Sequence, residues 1–173
     1  MRKPFLYIVF ALMFTGILII YNQLGGFEEP EISYEPVMEY IIAGKRFEGK
    51  TSDPAMEGLF TEMKLLKDEK RYKGPIVVIW YKEAKKKNDP VKVFIGIEVL
   101  PHEVAPEHLM TTTMQMNGII RAKINAHASV MPSPAKVLKK IRMYAEENDY
   151  ELQDIFFDKY PEESVVFTEV PIK

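Results

Sequence analysis

Asp154 is the residue whose surroundings best suit the binding of a charged ligand. It precedes the apolar run Ile155, Phe156 and Phe157. A carboxylate buried in such a run needs a cation or a hydrogen-bond donor, because burial disfavours its charged form. A cationic ligand lying beside Phe156 would supply that partner. The alternative is an aspartate at a strand edge that faces water, and the sequence leaves both open.

Aromatic residues on predicted strands could form the walls of the same site. Trp80 and Tyr81 point to opposite faces of one strand, so we expect one to pack in the core and the other to face a cleft. An aromatic face can hold a cation or a flat ring. Tyr40 and Phe47 on the first strand are further candidates of this kind, and core packing is the alternative for each of the four.

A second carboxylate lies on a strand with clear two-residue alternation. Phe94, Gly96 and Glu98 share its less apolar face, while valines and isoleucines form the other face. Gly96 would leave room for a ligand beside Phe94, and Glu98 would bind its charge. The alternative is a sheet face exposed to solvent.

The sequence lacks the usual catalytic and metal-binding motifs. There are no cysteines, His102 and His108 form no H-E-x-x-H pattern, and Ser133 lacks a G-x-S-x-G context. Ser133 is better placed to cap a helix. We therefore predict no metal site and no cofactor, and the catalytic residues, if any, are unknown.

These candidates belong to two similar halves of the chain. The first half comprises a strand at 37–47, a helix starting at Pro54, a strand at 76–81 and a strand at 91–100. The second comprises strands within 110–129, separated by a bend at Asn117-Gly118, a helix starting at Pro134, and strands at 152–157 and 165–172. The pattern predicts an α+β fold of duplicated strand-helix-strand-strand units with pseudo-two-fold symmetry. A pocket would lie at the seam between them.

An apolar segment precedes the two halves. Residues 5–21 carry no charge, and 17 residues in a helix span roughly 26 Å, close to the ~30 Å of a bilayer core. We therefore predict one transmembrane helix in a membrane anchor at 1–26, with a cleaved signal peptide as the alternative. Arg2 and Lys3 precede the segment and glutamates follow it, so the positive-inside rule places the N-terminus in the cytoplasm and the domain outside, in the periplasm of a bacterium.

Charge further limits the function. All 25 acidic residues but only 21 of the 23 basic residues follow residue 26, which leaves that part with a net charge of −4. This argues against a nucleic-acid partner, which requires a basic face. The basic run at 85–87 precedes a turn signal and is predicted to be a solvated hairpin tip. We assign 27–36 to a linker and 37–173 to the domain.

Four stretches of the domain carry a recognisable pattern: IIAGKRFEG, GPIVVIWYKE, KIRMYAEENDYELQDIFFDKYP and the closing TEVPI. In their order and terminal spacing they resemble the GyrI-like, or bacterial effector-binding, family of the SOUL-like superfamily. The family has an acidic residue two positions before an aromatic, which corresponds here to Asp154 and Phe156. The family residue is usually glutamate, so this chain departs by one methylene.

The resemblance implies a small-molecule-binding domain. Family members bind large, flat, often cationic apolar molecules in an aromatic cleft with a carboxylate at its floor. Those family members that are transcription regulators also carry a DNA-binding helix-turn-helix where this chain has its apolar segment. We therefore predict a membrane-tethered domain that binds apolar molecules, cationic ones among them. A protein-interaction adaptor and a hydrolase of strained cyclopropane-type compounds are the alternatives, so enzymatic activity stays open, with binding favoured.

Overall fold

Six antiparallel strands close into a barrel in the residues that a computed structural model describes, 3–69, 71–82 and 89–173. The helices of these residues are α1 (Lys3–Gln23), α2 (Pro54–Asp68) and α3 (Pro134–Glu147). The strands are β1 (Glu31–Lys50), β2 (Ile76–Trp80), β3 (Pro90–Glu98), β4 (Met110–Asn125), β5 (Phe156–Glu162) and β6 (Val165–Pro171). The order around the barrel is β1-β3-β2-β5-β6-β4. The predicted α+β class is thus confirmed.

The two halves are related by an approximate two-fold axis. Each runs strand, helix, strand, strand, and exchanging the halves leaves the strand order around the barrel unchanged. The register obeys the same symmetry, because Ile42 pairs with Glu98 in the first half as Arg121 pairs with Glu169 in the second. The axis passes between β2 and β5, where Val77 and Lys159 are paired.

Both barrel helices begin where the sequence signals place them. Asp53 caps α2, since its Oδ1 accepts a hydrogen bond of 2.9 Å from the amide of Ala55. Ser133 occupies the equivalent position before α3, but its side chain makes no capping bond. The predicted cap at Ser133 is therefore only positional.

The helices cover the outside of the barrel, and alternate strand residues fill its inside. Met63 and Leu66 of α2 pack on the outer face of β2 and β3, and α3 packs on β4, β5 and β6. The interior cluster contains strand side chains only: Tyr40, Ile42, Val77, Ile79, Phe94, Met116, Ile119 and Phe157. Burying this large apolar set stabilises the barrel.

Several strand limits differ from those predicted. β1 starts at Glu31, so it takes in most of the predicted linker at 27–36, and these residues pair with β4. β4 is one continuous strand rather than two, yet its inward face shifts by one residue at Asn117-Gly118, because Met116 and Ile119 both belong to the interior cluster. β5 begins later than the predicted strand at 152–157, at Phe156, and continues beyond its predicted end to Glu162. The basic run at 85–87 lies outside the described residues.

α1 is joined to the barrel by a short, bonded junction. The amide of His127 donates to the carbonyl of Leu24 over 2.9 Å, and Gly25 adopts a φ of 79° beside it. Lys140 of α3 lies 2.8 Å from Glu29. Within the described part of the chain, no helix has both the length and the apolar character to cross a membrane. The predicted transmembrane helix therefore lacks structural support.

Candidate functional site

Two carboxylates, two cations and a tyrosine meet inside the barrel. Tyr40, Glu98, Arg121, Lys159 and Glu169 stand on the inward faces of β1, β3, β4, β5 and β6. We call these five residues the interior site. Strand alternation explains the placement, since each lies two residues from, or directly opposite, a member of the apolar interior cluster.

Lys159 lies between a carboxylate and an aromatic ring. Its Nζ is 2.6 Å from Oε2 of Glu98 and 3.7 Å from the centre of the Tyr40 ring. The Lys159 side chain is only 8% exposed and that of Glu98 only 16%. The Glu98 oxygen has no well-directed hydrogen bond, so the contact is an ion pair reinforced by a cation–π interaction. A cationic side chain of the protein itself thus already lies between a carboxylate and an aromatic ring inside the barrel.

Arg121 holds the second carboxylate through several contacts. Its Nε donates to Oε1 of Glu169 over 2.7 Å, and its other nitrogens lie 3.4 Å from the Tyr40 hydroxyl and 3.4 Å from Glu35. The Arg121 guanidinium also covers the ring of Phe167 at 5.2 Å. Glu169 is fully buried, and its Oε2 has no hydrogen-bond partner among the described residues. One buried acceptor is therefore left over.

Tyr40 stays neutral in this environment. Burial raises the pKa of its hydroxyl well above the usual value, and the negative charge of Glu169 raises it further. Its ring can therefore present a π face to a cation at any ordinary pH. Tyr40 also contacts Phe157 edge-on, with ring centres 6.2 Å apart, which holds the face in position.

A third buried carboxylate, that of Asp158, lies on the outer face of the barrel next to the interior site. It accepts hydrogen bonds from Nε1 of Trp80 at 2.8 Å and from the hydroxyl of Thr168 at 2.7 Å. Burial raises the pKa of Asp158 to about 6, although both hydrogen bonds act in the opposite direction. Phe156 stacks on Trp80, with ring centres 5.6 Å apart.

The predicted site residues fall in four places. Tyr40, Phe94 and Glu98 meet inside the barrel, and the space beside Gly96 is taken by Ile42. Trp80 and Phe156 form the stack around Asp158 on the outer face.

The other two predicted residues lie at the surface. Asp154 is exposed and lines a cleft of about 310 Å³ beside α3, which Phe156 and Arg142 also line. Tyr81 is exposed in a separate groove of about 480 Å³ that includes Phe47. Asp154 and Tyr81 therefore do not join the interior site, and their predicted ligand contacts stay predictions.

Sequence reasoning missed Arg121, Lys159, Glu169 and Asp158, although two signals were available. Glu169-Val170 repeats Glu98-Val99 at the end of the closing strand of each half, which marks both glutamates as equivalent. The spacing of an acid two before an aromatic also fits Asp158 and Tyr160. Across the described ranges, no group of three or more histidine or carboxylate side chains could hold a metal ion.

Solved structures share this fold at low sequence identity. The C-terminal domain of EcmrR matches with a TM-score of 0.56 and 11% identity, over 83% of this chain and 98% of that domain. SAV2435 bound to tetraphenylphosphonium matches at 0.50 and 8%, over 84% and 94%. A hydrolase from Listeria innocua matches at 0.52 and 10%, over 84% and 92%. No protein-family model and no curated protein matches the sequence. These likenesses show the fold.

Proposed function

We propose that this chain is a GyrI-like effector-binding domain that binds small apolar molecules, organic cations in particular, inside its barrel. The observation that carries this proposal is the position of the Lys159 ammonium between the Glu98 carboxylate and the Tyr40 ring. An aromatic face and a carboxylate in a water-poor site are the partners that an organic cation requires.

The charges of the interior site favour a cationic ligand over an anionic one. Glu98 and Glu169 balance Lys159 and Arg121 within the site, and Glu35, which is 34% exposed and lies 3.4 Å from Arg121, adds a further carboxylate beside it. The unpaired Oε2 of Glu169 adds an acceptor that a ligand donor could use. The fold is consistent with this use, since SAV2435 shares it and was solved with tetraphenylphosphonium.

Thermal-shift measurements with tetraphenylphosphonium and a panel of aromatic cations test the proposal. A ligand present at about 100 times its Kd stabilises a protein by about 2.7 kcal/mol, which corresponds to a rise in Tm of about 5–10 °C at this size. Glu98→Gln should abolish the rise measured from that variant's own baseline, because the ligand charge loses its partner. No rise across the panel would contradict the proposal.

Asp154→Asn is the matched control, and it also tests the ligand carboxylate predicted from the sequence. Asp154 is exposed beside α3, so its neutralisation should leave the shift unchanged. If the rise in Tm is lost in Asp154→Asn and kept in Glu98→Gln, the ligand binds in the cleft beside α3 and not in the interior site.

An adaptor role is the second candidate, and one observation favours it. The barrel interior is filled by side chains, including those of Lys159 and Arg121. A protein that docks partners through its acidic surface needs no open interior. An adaptor would show no thermal shift with any cation of the panel, so the same experiment separates the two. The hydrolase alternative stays a prediction.

We further propose that α1 holds the domain at a membrane. Its large apolar side chains are exposed around the helix, among them Leu12 at 68% and Ile19 at 54%, and such a surface is rare in water unless it has a partner. In the sequence, Arg2 and Lys3 before the apolar segment at 5–21 and the glutamates after it support a cytoplasmic N-terminus with the domain outside.

Vesicle flotation of the full-length chain tests the membrane role. Wild type should float with phosphatidylcholine vesicles, and the double variant of Leu12→Glu and Ile19→Glu should stay in solution. Val104→Glu, at an apolar residue of the barrel domain that is 84% exposed, is the control and should float. Flotation of the double variant would contradict the proposal.

The orientation can be tested with a single introduced cysteine, since the chain has none. Glu147→Cys lies at the exposed end of α3. In intact cells a membrane-impermeant maleimide should label it if the domain lies outside. Labelling only after lysis would reverse the orientation.

A further inference from the structure

We propose that Lys159 is a built-in occupant of the interior site and that a ligand cation binds there only by displacing its ammonium group. This inference rests on the proposed binding function and adds a specificity-determining residue to it. The head group that takes the vacated place is an alkylammonium or a similarly small cationic end of a larger apolar molecule.

Stability alone gives little reason for a lysine at this position. Burying an ion pair costs desolvation that its attraction often only repays, and an apolar side chain of similar volume does as well or better. The equivalent position of the first half carries Val77, an apolar residue that fits the same fold. Lys159 is thus an addition to the symmetric framework rather than a requirement of it.

The contacts of Lys159 are those of an exchangeable group. Its ammonium is a point charge on a flexible four-carbon stem, in contact with one carboxylate oxygen that lacks a well-directed hydrogen bond and with one ring. Arg121 differs, because its guanidinium contacts Glu169, Tyr40, Glu35 and the ring of Phe167 together. Of these two interior cations, Lys159 is the one that a ligand can replace.

Removal of the lysine side chain should leave a site for the amine that it resembles. Lys159→Ala deletes the apolar stem and the ammonium but keeps Glu98 and the Tyr40 ring. Leaving one partner of a buried pair unpaired typically lowers Tm by roughly 10 °C in a protein of this size. n-Butylammonium reproduces the whole lysine side chain, one carbon more than this substitution removes, and carries the same charge, so it should bind and restore part of that loss.

The rescue experiment measures Tm of the full chain with n-butylammonium chloride. With a Kd on the order of 1 mM, about 100 mM of the amine should raise the Tm of Lys159→Ala by several degrees. Wild type should not respond, because its own lysine fills the site. Equal concentrations of 1-butanol and of sodium chloride separate charge recognition from apolar binding and from ionic strength.

Two variants serve as matched controls. Lys45→Ala removes a lysine whose Nζ lies 2.7 Å from Glu62, but this pair is partly exposed, at 39% and 33%, so the variant should lose little stability and show no rescue. The double variant of Lys159→Ala and Glu98→Gln removes both charges and should lose the response to the amine. A response equal to that of 1-butanol, or one kept in the double variant, would overturn the inference.

Lys159→Met keeps the test decisive if the alanine variant does not fold. Methionine approximates the lysine stem without its charge, and benzylammonium, an aromatic molecule with a small cationic end, should bind at least 10-fold more tightly than to wild type because no ammonium competes. Equal affinities in both proteins would overturn the inference while leaving the proposed binding function intact. If n-butylammonium rescues Lys159→Ala but the wild type binds no large cation, the inference about Lys159 is supported and the proposed binding function is contradicted.

Discussion

Replacing Asp158 with asparagine should stabilise the protein at pH 8 and leave its stability at pH 4 nearly unchanged. The Asp158 carboxylate is buried against Trp80 and Thr168, with no cation among its hydrogen-bond partners. Asparagine can accept the Trp80 bond through its oxygen and donate from its nitrogen to the Thr168 hydroxyl. It therefore keeps the geometry of the protonated acid and removes the buried charge.

The expected gain follows from the pKa of Asp158, which burial raises from 3.8 to about 6. Each pKa unit corresponds to about 1.4 kcal/mol, so the difference amounts to roughly 3 kcal/mol. The folded state binds this proton more tightly than the unfolded state, so protonation of Asp158 stabilises the wild type. That stabilisation of the wild type is complete below about pH 4. It is lost as pH rises through about 6.

Urea unfolding between pH 4 and pH 8 measures the effect. The free energy of unfolding of Asp158→Asn should exceed that of wild type by a margin that grows from near zero at pH 4 to about 3 kcal/mol at pH 8. Asp154→Asn at the exposed neighbouring aspartate is the control and should shift stability by less than about 0.5 kcal/mol. A margin independent of pH, or a variant less stable than wild type at pH 8, would show that the hydrogen bonds outweigh the burial cost.

Two further pairs of substitutions, each a test and its control, examine a buried ion pair and a helix cap. Arg121→Met should lower the free energy of unfolding by about 3–5 kcal/mol, because it leaves the fully buried Glu169 unpaired. Lys123→Met, at an exposed site, is its control and should change the free energy of unfolding little. Equal losses in the two variants would contradict a buried ion pair. Asp53→Ala should cost about 1 kcal/mol through the lost cap of α2, and Ser133→Ala close to nothing because its side chain caps nothing. Urea denaturation measures all four, and equal costs at Asp53 and Ser133 would refute the distinction.

Helix starts and strand alternation could be predicted because their signals are local. Pro54 and Pro134 each follow a capping-type residue, and both helices begin there. The inward positions of Phe94 and Glu98 follow from the two-residue period of one strand. Such features depend on a few neighbouring residues and not on the rest of the fold.

The interior site could not be predicted in the same way, because its pairs join residues far apart in sequence. Lysine and arginine are rarely buried unless they are paired, and the pairing of Lys159 with Glu98 depends on the register of three strands. For Asp154 the sequence left burial and exposure open, and an irregular segment before β5 leaves it exposed. The start of β1 was missed because Pro36 indicates a loop. In the structure Pro36 lies within β1, opposite Gly118 of β4.

The duplication gives this barrel a freedom that an assembly of two identical chains would lack. Lys159 and Val77 face each other across the two-fold axis. In a symmetric dimer the same position would carry lysine twice, and two ammonium groups directly opposite each other repel. Joining both copies in one chain let a single side chain change on one side only. A lone charge on the axis is thus a feature that gene fusion permits and strict symmetry forbids.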